Sequence, residues 1–154
     1  MDAEVYPQPR IAALVRDHFI PVRAHVKEDA AEFQRLGAQF GAQWTPTTLI
    51  VDPGGAERHR IEGFLPADDF AAQLELGLAA ALFARGQFPE AERAYQQVLE
   101  RFPQTDAAPE AQYWSGVSRY KASGDPAALA DTARRFKQQY KDSTWAKKAS
   151  VWDA

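Results

Sequence analysis

The chain has 154 residues, 45% of them hydrophobic and 25% charged, so it can bury a core and reads as one or two small globular domains rather than a disordered segment. A formal net charge of -3 with scattered Lys and Arg lacks the clustered basic footprint that a nucleic-acid surface needs. With no Cys, the chain as written has neither a disulfide nor a thiolate nucleophile, and its longest apolar runs, such as Leu76 to Ala84 with Gly77 inside it, are too short to span a bilayer.

Residues 1–10 carry no secretory signal, so a soluble, cytoplasmic protein is expected if Met1 is the true start. Ile11, Leu14, Val15 and His18 then recur at helical intervals, with Pro7 and Pro9 placed to start that helix. "FIPVRAHV" alternates Ile20, Val22, Ala24 and Val26 on one face and predicts a strand, weakened by Pro21 near its beginning. Phe33, Leu36 and Phe40 return to helical spacing, and Gly41 is a plausible stop. "TTLIVD" predicts a strand, "PGG" a turn and "ERHRIEG" an antiparallel return. The predicted order is helix, strand, helix, strand, strand, helix, in which the first strand, helix and second strand form a parallel crossover. Beyond about Phe64 the chain is rich in Ala, Gln, Glu and Arg at helical spacing only, which predicts two modules, 1–70 and 71–154.

Residues 1–80 resemble thioredoxin-fold proteins from their second core strand onward. The resemblance rests on the run from His18 to Phe70, and at its centre on Trp44, Thr45, Pro46 and Thr47, which match that family's cis-proline loop. It implies a cis Thr45–Pro46 bond and a ledge formed by Trp44, Thr45 and Pro46, where the backbone before the proline pairs with an extended peptide. It also exposes a departure. The family's central first strand and its CxxC motif have no counterpart, and "MDAEVYPQP" resembles the stretch just after that motif, so the expected sheet is a truncated one. Two readings stay open: a recorded start internal to a longer frame, or a true loss of the redox half. The gap predicts either that the strands at Ile20 to Val26 and Thr47 to Asp52 close directly on each other, or that two chains supply each other's edges as a homodimer.

The second half repeats. "FPQTDAAPEAQYW" at Phe102 to Trp114 returns as "YKDSTWAKKASVW" at Tyr140 to Trp152, and the same offset carries Gly86 onto Gly124. Leu78, Ala79, Gly86, Ala91, Tyr95 and Pro103 fall at the spacing of the tetratricopeptide repeat, and the following unit is more degenerate. The aromatic-Pro-x-Ser/Thr stretch with spaced alanines resembles repeat proteins of bacterial envelope assembly. Thr105 or Asp106 is expected to cap the next helix, and a last helix is expected from Ser143 to Trp152. Too few units are present for an independent solenoid, and no linker separates the halves, so a shared helix and a rigid junction are expected. The fold class is therefore α/β plus all-α, a truncated thioredoxin-like sheet followed by tetratricopeptide-like helical hairpins.

No catalytic group, cofactor or metal site emerges. His18, His25 and His59 are dispersed, and Glu57 with His59 supplies only two ligands. Asp68 and Asp69 suit a helix N-terminus, and "DPGG" is too short for a phosphate loop. Trp114, Trp145 and Trp152 read mainly as packing residues, with Trp114 projected onto the concave side. The reading is a redox-inactive protein-interaction module whose peptide surfaces are the loop at Trp44, Thr45 and Pro46 and a repeat groove presenting Gln73, Phe83, Trp114, Ser118 and Lys121. The rival is the C-terminal portion of a thiol-disulfide oxidoreductase whose CxxC segment lies upstream of Met1.

Overall fold

The computed structural model describes residues 1–153, which divide into two compact units, Met1–Ala71 and the described residues from Ala72 onward. In the first, helix α1 (Pro9–His18) begins at the proline whose missing N–H has no helical partner to lose, and it buries Ile11. Helix α2 (Ala30–Phe40) stops at Gly41, whose φ of 62° suits a residue without Cβ. Strands β1 (Thr47–Val51) and β2 (Glu57–Glu62) pair antiparallel, Thr48 opposite Ile61 and Ile50 opposite His59. Directly opposed residues share a face, so Ile50 and Ile61 are buried together, alongside a core of Val5, Ile11 and Phe70. Tyr6 meets Phe70 edge to face at 5.7 Å, and Arg10 pairs with Asp68.

The predicted strand at Ile20 to Val26 does not form. Among the described residues the sheet has two strands, so the parallel crossover and the direct closure onto β1 are both absent. Ile20 is 95% exposed and Val22 78% exposed. Alternation alone cannot hold a strand, because each backbone N–H and C=O needs a partner across a ladder and Pro21 offers no N–H. Local bonds also compete at its end. Asp29 Oδ2 accepts from the His25 N–H at 2.9 Å, and His25 Nδ1 accepts from the Glu28 N–H at 3.2 Å, folding residues 25–29 into a turn.

The β1–β2 turn is locked by one carboxylate. Asp52 accepts from the N–H of Gly54 at 2.9 Å, the N–H of Ala56 at 3.0 Å and Arg58 Nε at 2.7 Å. The register shifts between Ile50 and Val51, and Arg58 is the additional residue in the bulge. The backbone bond from Ala56, followed by that from Arg58, lowers the Asp52 carboxyl below its ordinary value.

Helix α3 (Ala67–Ala84) gives Phe70 to the first unit and its remainder, from Ala72, to the second. The second unit continues with α4 (Phe88–Arg101), α5 (Ala107–Ser123), α6 (Ala127–Gln138) and α7 (Thr144–Ala149), which runs into a 3-10 turn over Ser150–Trp152. Gly86 and Gly124 both adopt left-handed conformations, φ 75° and 72°, so the repeat offset is a geometric equivalence as well as a textual one. The expected cap of α5 is different: Asp106 occupies the cap position without a side-chain bond, while Thr105 Oγ1 donates to the Phe102 carbonyl at 2.9 Å. A threonine so engaged has no free reason to turn toward the helix N-terminus.

Alanine dominates the core of this unit. Ala79, Ala91, Ala107, Ala108, Ala111 and Ala149 are fully buried, around Tyr95, Val98 and Phe136. Short side chains let α5 approach both α4 and α6. Between α4 and α5, Arg119 Nε donates to Glu92 Oε1 at 2.8 Å. Between α5 and α6, a Cβ on Gly116 would meet Thr132 Oγ1 at 1.9 Å and its Cβ at 2.8 Å. Thr132 is β-branched and its hydroxyl is held on the Ala128 carbonyl at 2.8 Å, so it has little freedom to yield. No helix of the described residues is long and apolar enough to cross a membrane.

Two outcomes follow from these contacts. Gly116→Ala gains about 0.5–1 kcal/mol of helix propensity but incurs about 1–3 kcal/mol of overpacking, so chemical denaturation is expected to show a net loss near ~1 kcal/mol that shrinks in a Thr132→Ala background. For Asp52 the lowered folded value sets the sign: the lock is complete above the unfolded carboxyl value of about 3.9 and is lost as pH falls through the lower folded value. The Gly54 and Ala56 amide resonances should therefore titrate with a midpoint below that of an unfolded Asp, and Asp52→Asn should abolish the inflection.

Candidate functional site

Two surfaces gather the residues singled out by sequence. The first is the loop before β1. The Thr45–Pro46 peptide bond is cis. The Pro46 carbonyl accepts from the Gly63 N–H at 2.8 Å, and Thr47 Oγ1 donates to the Trp44 carbonyl at 2.7 Å, so both ends of the loop are tied to the hairpin. Gly63 has φ 88°, a conformation open to glycine at little cost. Farther along, Arg60 donates to the Phe40 carbonyl and to Glu57 Oε2 at 2.7 Å, joining the end of α2 to β2. These anchors leave the middle of the loop outward: Trp44 is 70% exposed, and Thr45 is exposed with no hydrogen bond among the described residues. A fixed backbone with an unused donor and acceptor beside an exposed indole can take an extended peptide.

The second surface is in the helical unit. Phe83 of α3 meets Phe88 of α4 at 5.2 Å and Trp114 of α5 at 5.2 Å, both edge to face. Trp114 adjoins Tyr113 at 5.4 Å, which in turn meets Trp145 at 5.1 Å and stacks on Trp152 at 4.8 Å. The six rings form one connected row, and all are half-buried. Lys121 Nζ lies 5.6 Å from the Phe88 ring centre and Lys148 Nζ 3.8 Å from that of Trp145, so a cation stands at each end. Such a row offers apolar faces and π edges without enclosing a cavity.

Of the predicted groove residues, the structure brings together Phe83, Trp114 and Lys121, which meets the row through Phe88. Ser118 is a correction: it is fully buried, and its Oγ has no hydrogen-bond partner. Its helix is packed against α4, α6 and α7, leaving that position no route to a surface. Gln73 is half-buried and lies ten residues before Phe83, about 15 Å along the helix axis, which puts it outside the row. Tyr113 and Phe88 were not foreseen, and Trp145 and Trp152, expected to be interior packing, keep part of their rings at the surface. The repeat match between Trp114 and Trp152 held the signal, because it places an aromatic residue at the same point of successive units.

Two further features frame the second unit. Tyr95, 2% exposed, has its phenol pushed well above the ordinary range by burial, with the Glu110 carboxylate adding to the effect, so it stays neutral. Glu75, 8% exposed, pairs with Arg101. Among the described residues no group of three or more His, Asp or Glu is placed to hold a metal ion.

A model of a thioredoxin-like domain matches residues 1–78, and a model of a tetratricopeptide repeat matches residues 73–105. No curated protein matches the chain, and no solved structure does. The first match covers more than half of the sequence and spans the cis-proline loop and its hairpin, and the second runs from within α3 through the Gly86 turn and α4; the chain thus belongs to the thioredoxin-like domain family and carries a tetratricopeptide repeat behind that domain.

Proposed function

We propose that this chain is a redox-inactive protein-interaction module that takes peptide segments of partner proteins at the aromatic row of its helical unit and at the Trp44–Pro46 loop. The observation that carries the reading is the row itself. Six half-buried rings in continuous contact leave part of their apolar faces against water, and aromatic side chains so arranged concentrate binding energy. A tetratricopeptide repeat supports a protein partner, and the lysines at the two ends favour a peptide bearing acidic residues beside apolar ones. Disulfide exchange requires a thiolate attacking a sulfur atom, and the chain has no Cys to supply one.

Two measurements test this. Peptides selected from a random display library on the immobilised chain are expected to lose at least about tenfold in affinity on Trp114→Ala, equivalent to about 1.4 kcal/mol; binders indifferent to both Trp114→Ala and Trp44→Ala would overturn the assignment of the surfaces. Separately, adding the chain to insulin and dithiothreitol should leave the rate of disulfide reduction at the dithiothreitol background. Turnover that scales with chain concentration would refute redox inactivity while leaving the peptide surfaces standing.

A further inference from the structure

Two stretches of the first unit are short of partners in the same way. The first is the outer edge of β1. The Gly63 N–H donates to the Pro46 carbonyl and the Asp52 N–H to the Ala56 carbonyl, so Thr48, opposite Ile61, and Ile50, opposite His59, turn their backbone groups toward β2. Thr47, Leu49 and Val51 turn theirs the other way, where no hydrogen bond receives them among the described residues. The second stretch follows α1. Phe19 already has extended backbone, φ -133° and ψ 158°, and from Ile20 to Ala24 no backbone N–H or C=O is hydrogen-bonded among the described residues. Ile20 and Val22 are also the most exposed large apolar side chains of the described residues.

The two stretches match residue by residue. In an extended strand, alternate residues share one face and one edge. Ile20, Val22 and Ala24 therefore carry apolar side chains on one face and aim their backbone groups at one edge, in step with Thr47, Leu49 and Val51. Laid antiparallel, Ile20 comes opposite Val51, Val22 opposite Leu49 and Ala24 opposite Thr47, and directly opposed residues lie on the same face. Val51 is exposed and Leu49 half-buried, so both have apolar surface left to cover. Pro21 falls on the far edge, where its absent N–H costs nothing and makes the added strand a poor template for another.

The same match selects the occupant. Within one copy the two stretches do not pair. A foreign extended peptide would satisfy the edge of β1 and leave Ile20 and Val22 against water, whereas a second copy satisfies both at once, each chain giving one strand and receiving one. Such an exchange is isologous and closes at two chains. It also raises each hairpin to three strands, the number at which a sheet with an apolar face becomes stable by itself.

We propose that two copies of this chain pair by lending each other a strand, residues 20–24 of each adding antiparallel to the outer edge of β1 in the other. Sedimentation equilibrium of the full chain, from micromolar to near-millimolar concentration, is expected to show a monomer–dimer equilibrium, with amide exchange at Val22 and Leu49 slowing as the dimer fills. Ile20→Asp combined with Val22→Asp alters two exposed side chains, so the monomer should keep its far-ultraviolet circular dichroism, while dimerisation weakens at least about 100-fold. Because the chain has no Cys, introduced thiols read the register. Val22→Cys with Leu49→Cys should give a covalent dimer on mild oxidation, and Val22→Cys with Thr48→Cys, whose side chains lie on opposite faces, should not. The proposal is overturned if the chain stays monomeric throughout, if the dimer is indifferent to the paired Asp substitutions, or if the Val22→Cys, Leu49→Cys disulfide closes within a single chain. The aromatic row takes no part in this readout, so the two assignments succeed or fail separately.

Discussion

The close approach of α5 to its neighbours is what the helical unit depends on. Gly116 leaves no room for a Cβ against Thr132, and the fully buried alanines on α5 have the same effect along its length. A helix in contact with partners on several sides cannot rotate about its axis without a clash, since interiors pack at crystal-like density. The positions left over are thereby fixed in direction: Tyr113 and Trp114 turn toward the rings of α3, α4 and α7. The aromatic row is a by-product of tight packing rather than an addition to it.

The hairpin of the first unit follows a different logic, in which hydrogen bonds do what shape does in the helices. Asp52 closes the turn, Arg58 occupies the bulge, Gly63 returns the chain to Pro46, and Thr47 reaches back to Trp44. Only two residues of this sheet, Ile50 and Ile61, are buried side chains, so apolar burial alone could not hold a two-stranded ribbon. The polar locks at both of its ends supply the difference, and they are also what orients Trp44 and Thr45.

Much of this was legible in the sequence where local chemistry and long-range packing agree. Pro9, Gly41, Gly86 and Gly124 mark their helix boundaries because a missing N–H or a positive φ is a local requirement. The strand pair at Thr47 to Glu62 announced itself through alternating residues around a Pro-Gly-Gly turn. Ile20 to Val26 failed by the same test applied too locally: its alternation is real, but a strand is a property of a pair, and none of the described residues pairs with it. Ser118 was misplaced because helical periodicity gives a phase for one buried face, and α5 is covered on several.

The distribution of tryptophan has a spectroscopic consequence. Trp44 stands alone and exposed on the loop, whereas Trp114, Trp145 and Trp152 share one row, with Trp114 and Trp145 centred 6.4 Å apart. Indoles at that separation couple their electronic transitions, so the row carries a near-ultraviolet circular dichroism signal that a solitary, solvated indole does not. The same protein thus holds an optical reporter of helical packing and, in a different emission range, a reporter of whatever settles on the cis-proline loop.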